Sequence, residues 1–122
     1  MSTTTIIVLS DPKAGEEAFG RVFNALAAAH DFKRQNRPVQ LVFHGTGTRW
    51  PAELAKSDHP AHQLYNAVQD SIAGMSAACS TAFGAVDAAD KALPRLTDNP
   101  LPGTAGLGSI ADYASAGPVL TF

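Results

Sequence analysis

The chain has little cysteine, few charged residues and no long hydrophobic run. Cys79 is the only cysteine among its 122 residues, so no disulfide can form within the chain and a disulfide-stapled scaffold is excluded. The lack of further cysteines also excludes a thiolate-rich zinc site. Such sparing use of cysteine is typical of proteins from a reducing compartment.

Charged residues make up 16% of the chain, below the roughly 25% of ordinary globular proteins. The net charge of −2 offers no basic surface for nucleic acid, so we expect no nucleic-acid partner. A low charge content is also compatible with a surface that is partly hidden in a homo-oligomer.

No stretch approaches the ~20 apolar residues of a membrane span, so we expect no membrane partner. Residues 1–9 lack the basic start and the small-residue cleavage site of a signal peptide. We therefore expect a cytoplasmic location.

The chain length fits one domain over residues 1–122, which can bury a core without disulfides. Segments rich in β-branched and apolar residues predict strands at 4–9, 38–44, 72–77, near Leu96 and at 119–122. Helical spacing of apolar residues, with capping and stop signals, predicts helices at 15–35, 51–56, 57–70 (including an N-cap region at 57–60), 79–84, 86–93 and 109–116.

Strands that alternate with helices, and that are too apolar to leave one face in water, predict an α/β fold. We expect a three-layer sandwich, flavodoxin-like in general architecture, whose mainly parallel sheet has about five strands. In such sheets the ligand crevice lies beyond the carboxyl ends of the strands. This rule brings Ser10 and Asp11, residues 44–49, and Ala78 and Cys79 to one edge of the molecule.

Cys79 is the first candidate for chemistry, because it follows the third strand where a helix is predicted to begin. A thiol at a helix N-terminus faces unpaired backbone N–H groups and the positive end of the peptide dipoles, which favour the reactive thiolate. The alternative is that Cys79 is a small buried hydrophobic residue, since free cysteine is often buried.

The second candidate is the segment after the second strand, which consists of Gly45, Thr46, Gly47, Thr48 and Arg49. Its N–H groups and hydroxyls are suited to hold an anion that Arg49 neutralises, and Asp11 is expected at the same edge. The segment lacks the Gly-Lys-Ser/Thr end of a P-loop and the third glycine of the dinucleotide fingerprint. The alternative is an ordinary tight turn.

The histidines and the tryptophan leave alternatives open. His44 ends the second strand, where it can assist a thiolate as a base or ion partner, or close hydrogen bonds at the strand end. His59 and His62 flank Pro60 without a further metal ligand nearby in the sequence, so we expect no metal site and no cofactor. Trp50 is expected either to cover the crevice or to fix the loop in the core or at an interface.

Four segments together resemble the DsrE/DsrF-like family. They are Phe43-His44-Gly45 after the second strand, His59-Pro60 before a helix, residues 74–84 around Cys79, and the terminal residues 119–122. The likeness covers nearly the whole chain, and the segment around Cys79 is its most specific part. The resemblance implies a mainly parallel five-stranded sheet and assembly as homo-dimers, -trimers or -hexamers.

In sulfur-relay members of that family, a cysteine in this segment accepts sulfane sulfur as a persulfide and passes it to a partner protein. Cys79 matches that position. Relatives can carry a second cysteine three residues earlier, where this chain has Ser76, so a Cys-x-x-Cys redox pair is absent. The resemblance thus implies a sulfur carrier or sulfurtransferase-like protein with sulfur-relay partners, and we expect His44 to assist Cys79.

Two further hypotheses stay open. In one, the crevice holds a small anion or a nucleotide without turnover, and Cys79 is structural. In the other, the chain is an assembly subunit whose Ala-rich helices and C-terminal strand are buried between copies.

Overall fold

The computed structural model describes residues 2–84 and 93–122, and its centre within them is a five-stranded, entirely parallel sheet. The strand order is β4-β3-β2-β1-β5. The strands are β1 (Thr4–Val8), β2 (Val39–Phe43), β3 (Ile72–Ser76), β4 (Arg95–Leu96) and β5 (Val119–Thr121). The predicted α/β fold with a mainly parallel sheet of about five strands is confirmed.

Helices and 3-10 turns connect these strands in the part of the chain that is described. The helices are α1 (Glu16–Arg34), α2 (Trp50–Leu54), α3 (His62–Ala67), α4 (Ala77–Ala82) and α5 (Ile110–Ala116). The 3-10 turns are Pro12–Ala14, Gly45–Arg49 and Gln69–Ser71. None of the described helices is both long enough and apolar enough to cross a membrane.

One face of the sheet carries the larger core. α1 buries a stripe at the three- and four-residue spacing of one helix face, formed by Ala18, Val22, Ala25, Leu26 and Ala29. The sheet contributes Ile6, Val8, Leu41, Phe43 and Met75, and α2 and α3 add Trp50, Leu54 and Tyr65. Fully burying one Leu or Phe stabilises a fold by about 1.5–3 kcal/mol relative to leaving it exposed, so this face supplies most of the apolar stabilisation.

The opposite face is covered by α5 and the chain before it. Ile7 and Val42 pack against Tyr113 of α5, with Leu96 and Val119 at the margin. Because side chains alternate along a strand, Ile6 faces α1 while Ile7 faces α5. Helices therefore lie on both faces, which is the predicted three-layer arrangement.

The five strands, α1 and α5 lie within one residue of their predicted positions. Ser109 caps α5 as predicted, because its Oγ accepts a hydrogen bond from the Asp112 N–H at 3.2 Å. The predicted turn of helix at 51–56 is α2. The predicted helix at 86–93 lies outside the described residues, apart from Leu93, which is buried.

Two helix predictions need correction. α4 begins at Ala77 and not at Cys79, because Ser76 is the N-cap and its Oγ accepts a hydrogen bond from the Cys79 N–H at 3.3 Å. The helix predicted at 57–70 is the shorter α3. It begins late because Nδ1 of His59 accepts a hydrogen bond from the Ala61 N–H at 3.1 Å, which stabilises a turn before it, and its end is followed by the 3-10 turn Gln69–Ser71.

Candidate functional site

The segments that follow β1, β2 and β3 lie at one edge of the sheet, because these three strands are parallel neighbours. The backbones of these three segments therefore lie close to one another, at residues 9–11, 44–49 and 77–79. Their side chains, however, belong to three different environments: a pocket on the α1 side, the buried layer under α5, and the partly exposed start of α4.

The segment Gly45–Arg49 is a 3-10 turn whose polar groups are largely satisfied within the protein. Thr46 Oγ1 donates to the Leu9 carbonyl at 3.1 Å, and Thr48 Oγ1 donates to the Gly45 carbonyl at 2.9 Å. The Gly47 N–H donates to the His44 carbonyl at 2.9 Å. These contacts explain the Gly-Thr-Gly-Thr sequence by local packing, and in this segment it is Arg49 that reaches the pocket described next.

A pocket of about 420 Å³ lies at this edge, on the side of α1. It is lined by four rings (Phe19, Trp50, His59 and Phe83), three charged side chains (Lys13, Arg49 and Glu53), and Pro12, Ala52 and Gly84. Its volume falls within the roughly 300–1,000 Å³ of sites for small organic ligands. Apolar walls with a few polar groups are the usual composition of such sites.

Arg49 is held in place by two partners. Its Nη1 donates to Asp11 Oδ2 at 2.8 Å, and its Nε donates to the Phe83 carbonyl at 3.1 Å. Asp11 Oδ1 also accepts the Lys13 N–H at 2.9 Å. The Lys13 N–H and the Arg49 guanidinium hold the pKa of Asp11 below its usual value despite partial burial, so its carboxylate is charged at neutral pH.

The rings of the pocket contact other rings or polar neighbours. The Trp50 indole is 3% exposed, and its Nε1 donates to the Ser10 carbonyl at 2.9 Å, so it forms the floor of the pocket. The His59 ring centre lies 6.3 Å from that of Trp50 and 5.8 Å from that of Phe19. Phe83, at 38% exposed, offers the most accessible ring surface.

His59 and His62 are engaged in separate local contacts. Because His59 Nδ1 accepts a backbone N–H, the neutral ring carries its proton on Nε2 and keeps a donor there. His62 Nδ1 lies 2.8 Å from the Leu54 carbonyl, and its Nε2 lies 3.0 Å from Asn66 Nδ2. Among the residues that the structure describes, no cluster of His, Cys, Asp and Glu is arranged to hold a metal ion.

Cys79 is the third residue of α4 and is partly exposed. Its own N–H is bonded to Ser76 Oγ, so that group is already used in capping the helix. Cys79 is not among the residues that line the 420 Å³ pocket. α4 nevertheless packs against the Gly45–Arg49 turn, which keeps the thiol at the same edge of the sheet.

His44 lies in the layer under α5 and away from the pocket. Its side chain is 4% exposed and packs edge-on against Tyr113, with 6.2 Å between ring centres. Burial lowers the pKa of His44 and raises that of Tyr113, with smaller contributions from Asp98 and Asp112 to the latter. Within residues 2–84 and 93–122, neither His44 Nε2 nor the Tyr113 hydroxyl has a hydrogen-bond partner.

Sequence reasoning missed most of the pocket. Lys13, Phe19, Glu53 and Phe83 were not singled out for binding, although Lys13 stands in the first turn after β1 and Phe83 lies in the segment around Cys79. Trp50 is predicted either to cover the crevice or to fix the loop in the core or at an interface, and it lies in the core, where it also lines the pocket. The available signal was the rule that ligand crevices lie beyond the carboxyl ends of parallel strands, since every lining residue, Phe19 included, lies in a connection that follows β1, β2 or β3.

The chain matches no protein-family model, no curated protein and no solved structure. The DsrE/DsrF-like resemblance, the sulfur-relay partners, the homo-oligomeric assembly and the cytoplasmic location therefore stay predictions.

Proposed function

We propose that this protein is a binding module for a small planar anion, which it holds in the 420 Å³ pocket. The observation that carries the proposal is the combination of Lys13 and Arg49 with four rings around one pocket at the carboxyl edge of a parallel sheet. This is the small-anion hypothesis formed on the sequence, moved from the backbone of residues 45–49 to a neighbouring pocket.

Lys13 and Arg49 supply the positive charge. In the described part of the chain, the Lys13 ammonium has no ion-pair partner, and one Nη of Arg49 has no hydrogen bond. Asp11 and Glu53 offset part of this charge, but the Asp11 oxygens are taken up by the Lys13 N–H and by Arg49, and Glu53 forms an ion pair with Lys56. A ligand with a single anionic group therefore fits the balance of charge better than a strongly charged polyanion.

The rings supply the preference for a planar ligand. Phe83 is 38% exposed, and a flat apolar ligand in the pocket would cover its ring, while the buried indole of Trp50 contributes an apolar wall. Aromatic pairs in offset or edge-on geometry contribute about 0.5–1.5 kcal/mol beyond the area they bury. The fixed indole and the fixed guanidinium need no ordering on binding, which lowers the entropic cost of association.

Trp50 provides the measurement, since it is the only tryptophan in the chain and forms the pocket floor. We expect saturable changes in its fluorescence on titration with benzoate or with adenosine monophosphate (AMP), and a thermal shift that grows with ligand concentration. Lys13→Ala should weaken binding about fivefold, which corresponds to about 1 kcal/mol. Lys33→Ala, which removes a lysine outside the pocket, is the matched control; an equal loss in both variants, or no saturation, would overturn the proposal.

Sulfur carriage by Cys79 is a second candidate, favoured by the partial exposure of the thiol at this edge. In that case the Cys79 thiolate attacks the outer sulfur of a donor persulfide, a new S–S bond forms on Cys79, and the donor leaves as its thiolate. Intact mass after incubation with a persulfide donor tests it. Added sulfur on the wild type and none on Cys79→Ser supports the candidate, and no added sulfur on the wild type, or an equal mass increase for the two, contradicts it.

A further inference from the structure

We infer that the ligand of this pocket is a nucleoside monophosphate, a planar base that carries an amino group and is joined to one phosphate. The inference rests on the proposed function and goes further by assigning the base-recognising residue, Glu53. Glu53 is a carboxylate in the lining that the anionic group of the ligand does not use, since like charges repel each other.

Glu53 is the feature that a simple anion does not explain. It lines the pocket together with Lys13 and Arg49, yet it forms its ion pair outside the lining, with Lys56 at 3.1 Å through Oε2. Oε1 has no hydrogen-bond partner among the described residues. The Glu53 side chain is 42% exposed, so this oxygen is open to an N–H donor on a ligand, and the exocyclic amine of a base is such a donor.

The donors and the acceptor of the lining come from different elements, since Lys13 and Arg49 stand in two 3-10 turns and Glu53 stands on α2. Lys13 and Arg49 are brought together by Asp11, which accepts a hydrogen bond from the backbone N–H of the first and from the guanidinium of the second. Glu53 follows Trp50 by three residues on α2 and so projects from the same helix face, beside the indole floor. A phosphate bound by Lys13 and Arg49 and a base edge bound by Glu53 would use the cations and the carboxylate of the lining at once.

His59 and the pocket size complete the match. The Nε2–H that the His59 tautomer leaves available is a third donor in the lining, suited to a phosphate or a ribose oxygen. A volume of about 420 Å³ lies near the lower end of the range for organic ligands, which suits one base, one sugar and one phosphate.

The test uses Trp50 fluorescence with four probes: AMP, the analogue of AMP that lacks the 6-amino group, adenosine, and ribose 5-phosphate. We expect AMP to bind best, and the analogue to bind about tenfold more weakly because it cannot donate to Glu53. Adenosine and ribose 5-phosphate, which each lack one end of the ligand, should bind more weakly still.

Glu53→Ala should lower the affinity for AMP about tenfold and leave the affinity for the analogue unchanged. This difference would show that Glu53 interacts with the amino group. Asp112→Ala on α5 removes a carboxylate on the other face of the sheet and should change neither affinity. If Glu53→Ala does not fold, Glu53→Gln keeps the shape and should narrow the difference between the two nucleotides.

Equal binding of AMP and the analogue by the wild type would overturn this inference, and so would equal losses for both in Glu53→Ala. Neither result affects the proposed function, because a planar anion would still bind. Failure of benzoate and of both nucleotides to bind would instead overturn the proposed function, and this inference with it.

Discussion

The Arg49 guanidinium and the Asp11 carboxylate lie 2.8 Å apart and join the turn after β2 to the loop after β1. The same guanidinium donates to the Phe83 carbonyl, just after α4. One side chain thus connects the segments that follow three neighbouring strands. Because both side chains are only about a quarter exposed, at 26% and 25%, the pair is better shielded than most surface ion pairs.

We predict that Arg49→Ala lowers the free energy of unfolding by about 1 kcal/mol, since it removes two hydrogen bonds made by a charged group in a partly exposed position. Arg49→Lys should lose nearly as much, because one ammonium cannot reproduce both directions of the guanidinium. Urea unfolding measures the effect. Arg21→Ala, which breaks an exposed pair with Glu17, should stay within about 0.5 kcal/mol, and an equal cost for Arg21 and Arg49 would contradict the prediction.

Gly47 is predicted to be intolerant of a side chain, because a Cβ there would lie 2.2 Å from the Val8 carbonyl oxygen. Gly47→Ala should therefore destabilise the protein by about 1–3 kcal/mol and move the turn that carries Arg49. Gly20→Ala is the matched control. Its Cβ meets nothing within 4 Å and lies inside α1, so the substitution should stabilise by about 0.5–1 kcal/mol. Urea unfolding compares the two variants. A change in the free energy of unfolding with the same sign for both would refute the prediction.

The buried imidazole of His44 should make stability depend on pH below neutrality. Burial lowers the pKa of His44 in the folded state, so the unfolded chain binds the proton more readily, near pH 6.5. The stability of the fold with a neutral His44 is therefore complete above pH 6.5, and it is lost as the pH falls toward the pKa of His44 in the folded state. Urea midpoints between pH 7.5 and 5 should decline for the wild type and decline less for His44→Gln. If the midpoints of His44→Gln decline as steeply as those of the wild type, the buried imidazole is not the source of the dependence.

Tyr113 should produce the opposite dependence at high pH. Burial, with Asp98 and Asp112, raises the pKa of Tyr113 in the folded state, so the unfolded chain loses the proton first, near pH 10. The contribution is present below pH 10 and is lost as the pH rises further. Tyr113→Phe cannot ionise and should keep its urea midpoint more nearly constant from pH 9 to 11. An identical alkaline decline in this variant would rule out Tyr113 as its source.

Much of the fold was predictable, because strand and helix periodicities are properties of short segments. The run from Thr4 to Val8 is apolar and β-branched throughout, and α1 repeats its apolar residues every three or four positions. The start of α4 was misplaced by two residues because Ser76, at the end of β3, acts as the N-cap. The start of α4 depends on where β3 ends. Because apolar residues stand on both sides of Ser76, the sequence does not define that end.

The candidate site was predictable only as an edge of the sheet. Phe19 of α1 and Phe83 after α4 meet across one pocket although 64 positions separate them in the sequence, and no local pattern links them. His44 and Arg49 are five residues apart, yet one lies buried against Tyr113 under α5 and the other lines the pocket on the α1 side.

The sequence by itself determined the α/β class, the five strands and the edge at which their connections converge, because hydrophobic period and turn residues act over a few positions. The tertiary structure alone decided that Lys13, Arg49, Glu53 and the rings share a pocket and that Cys79 stands outside it. The reason is that distant segments pack together at the carboxyl edge of the sheet, through contacts such as Asp11 with Arg49. This packing sets which side chains face one another there.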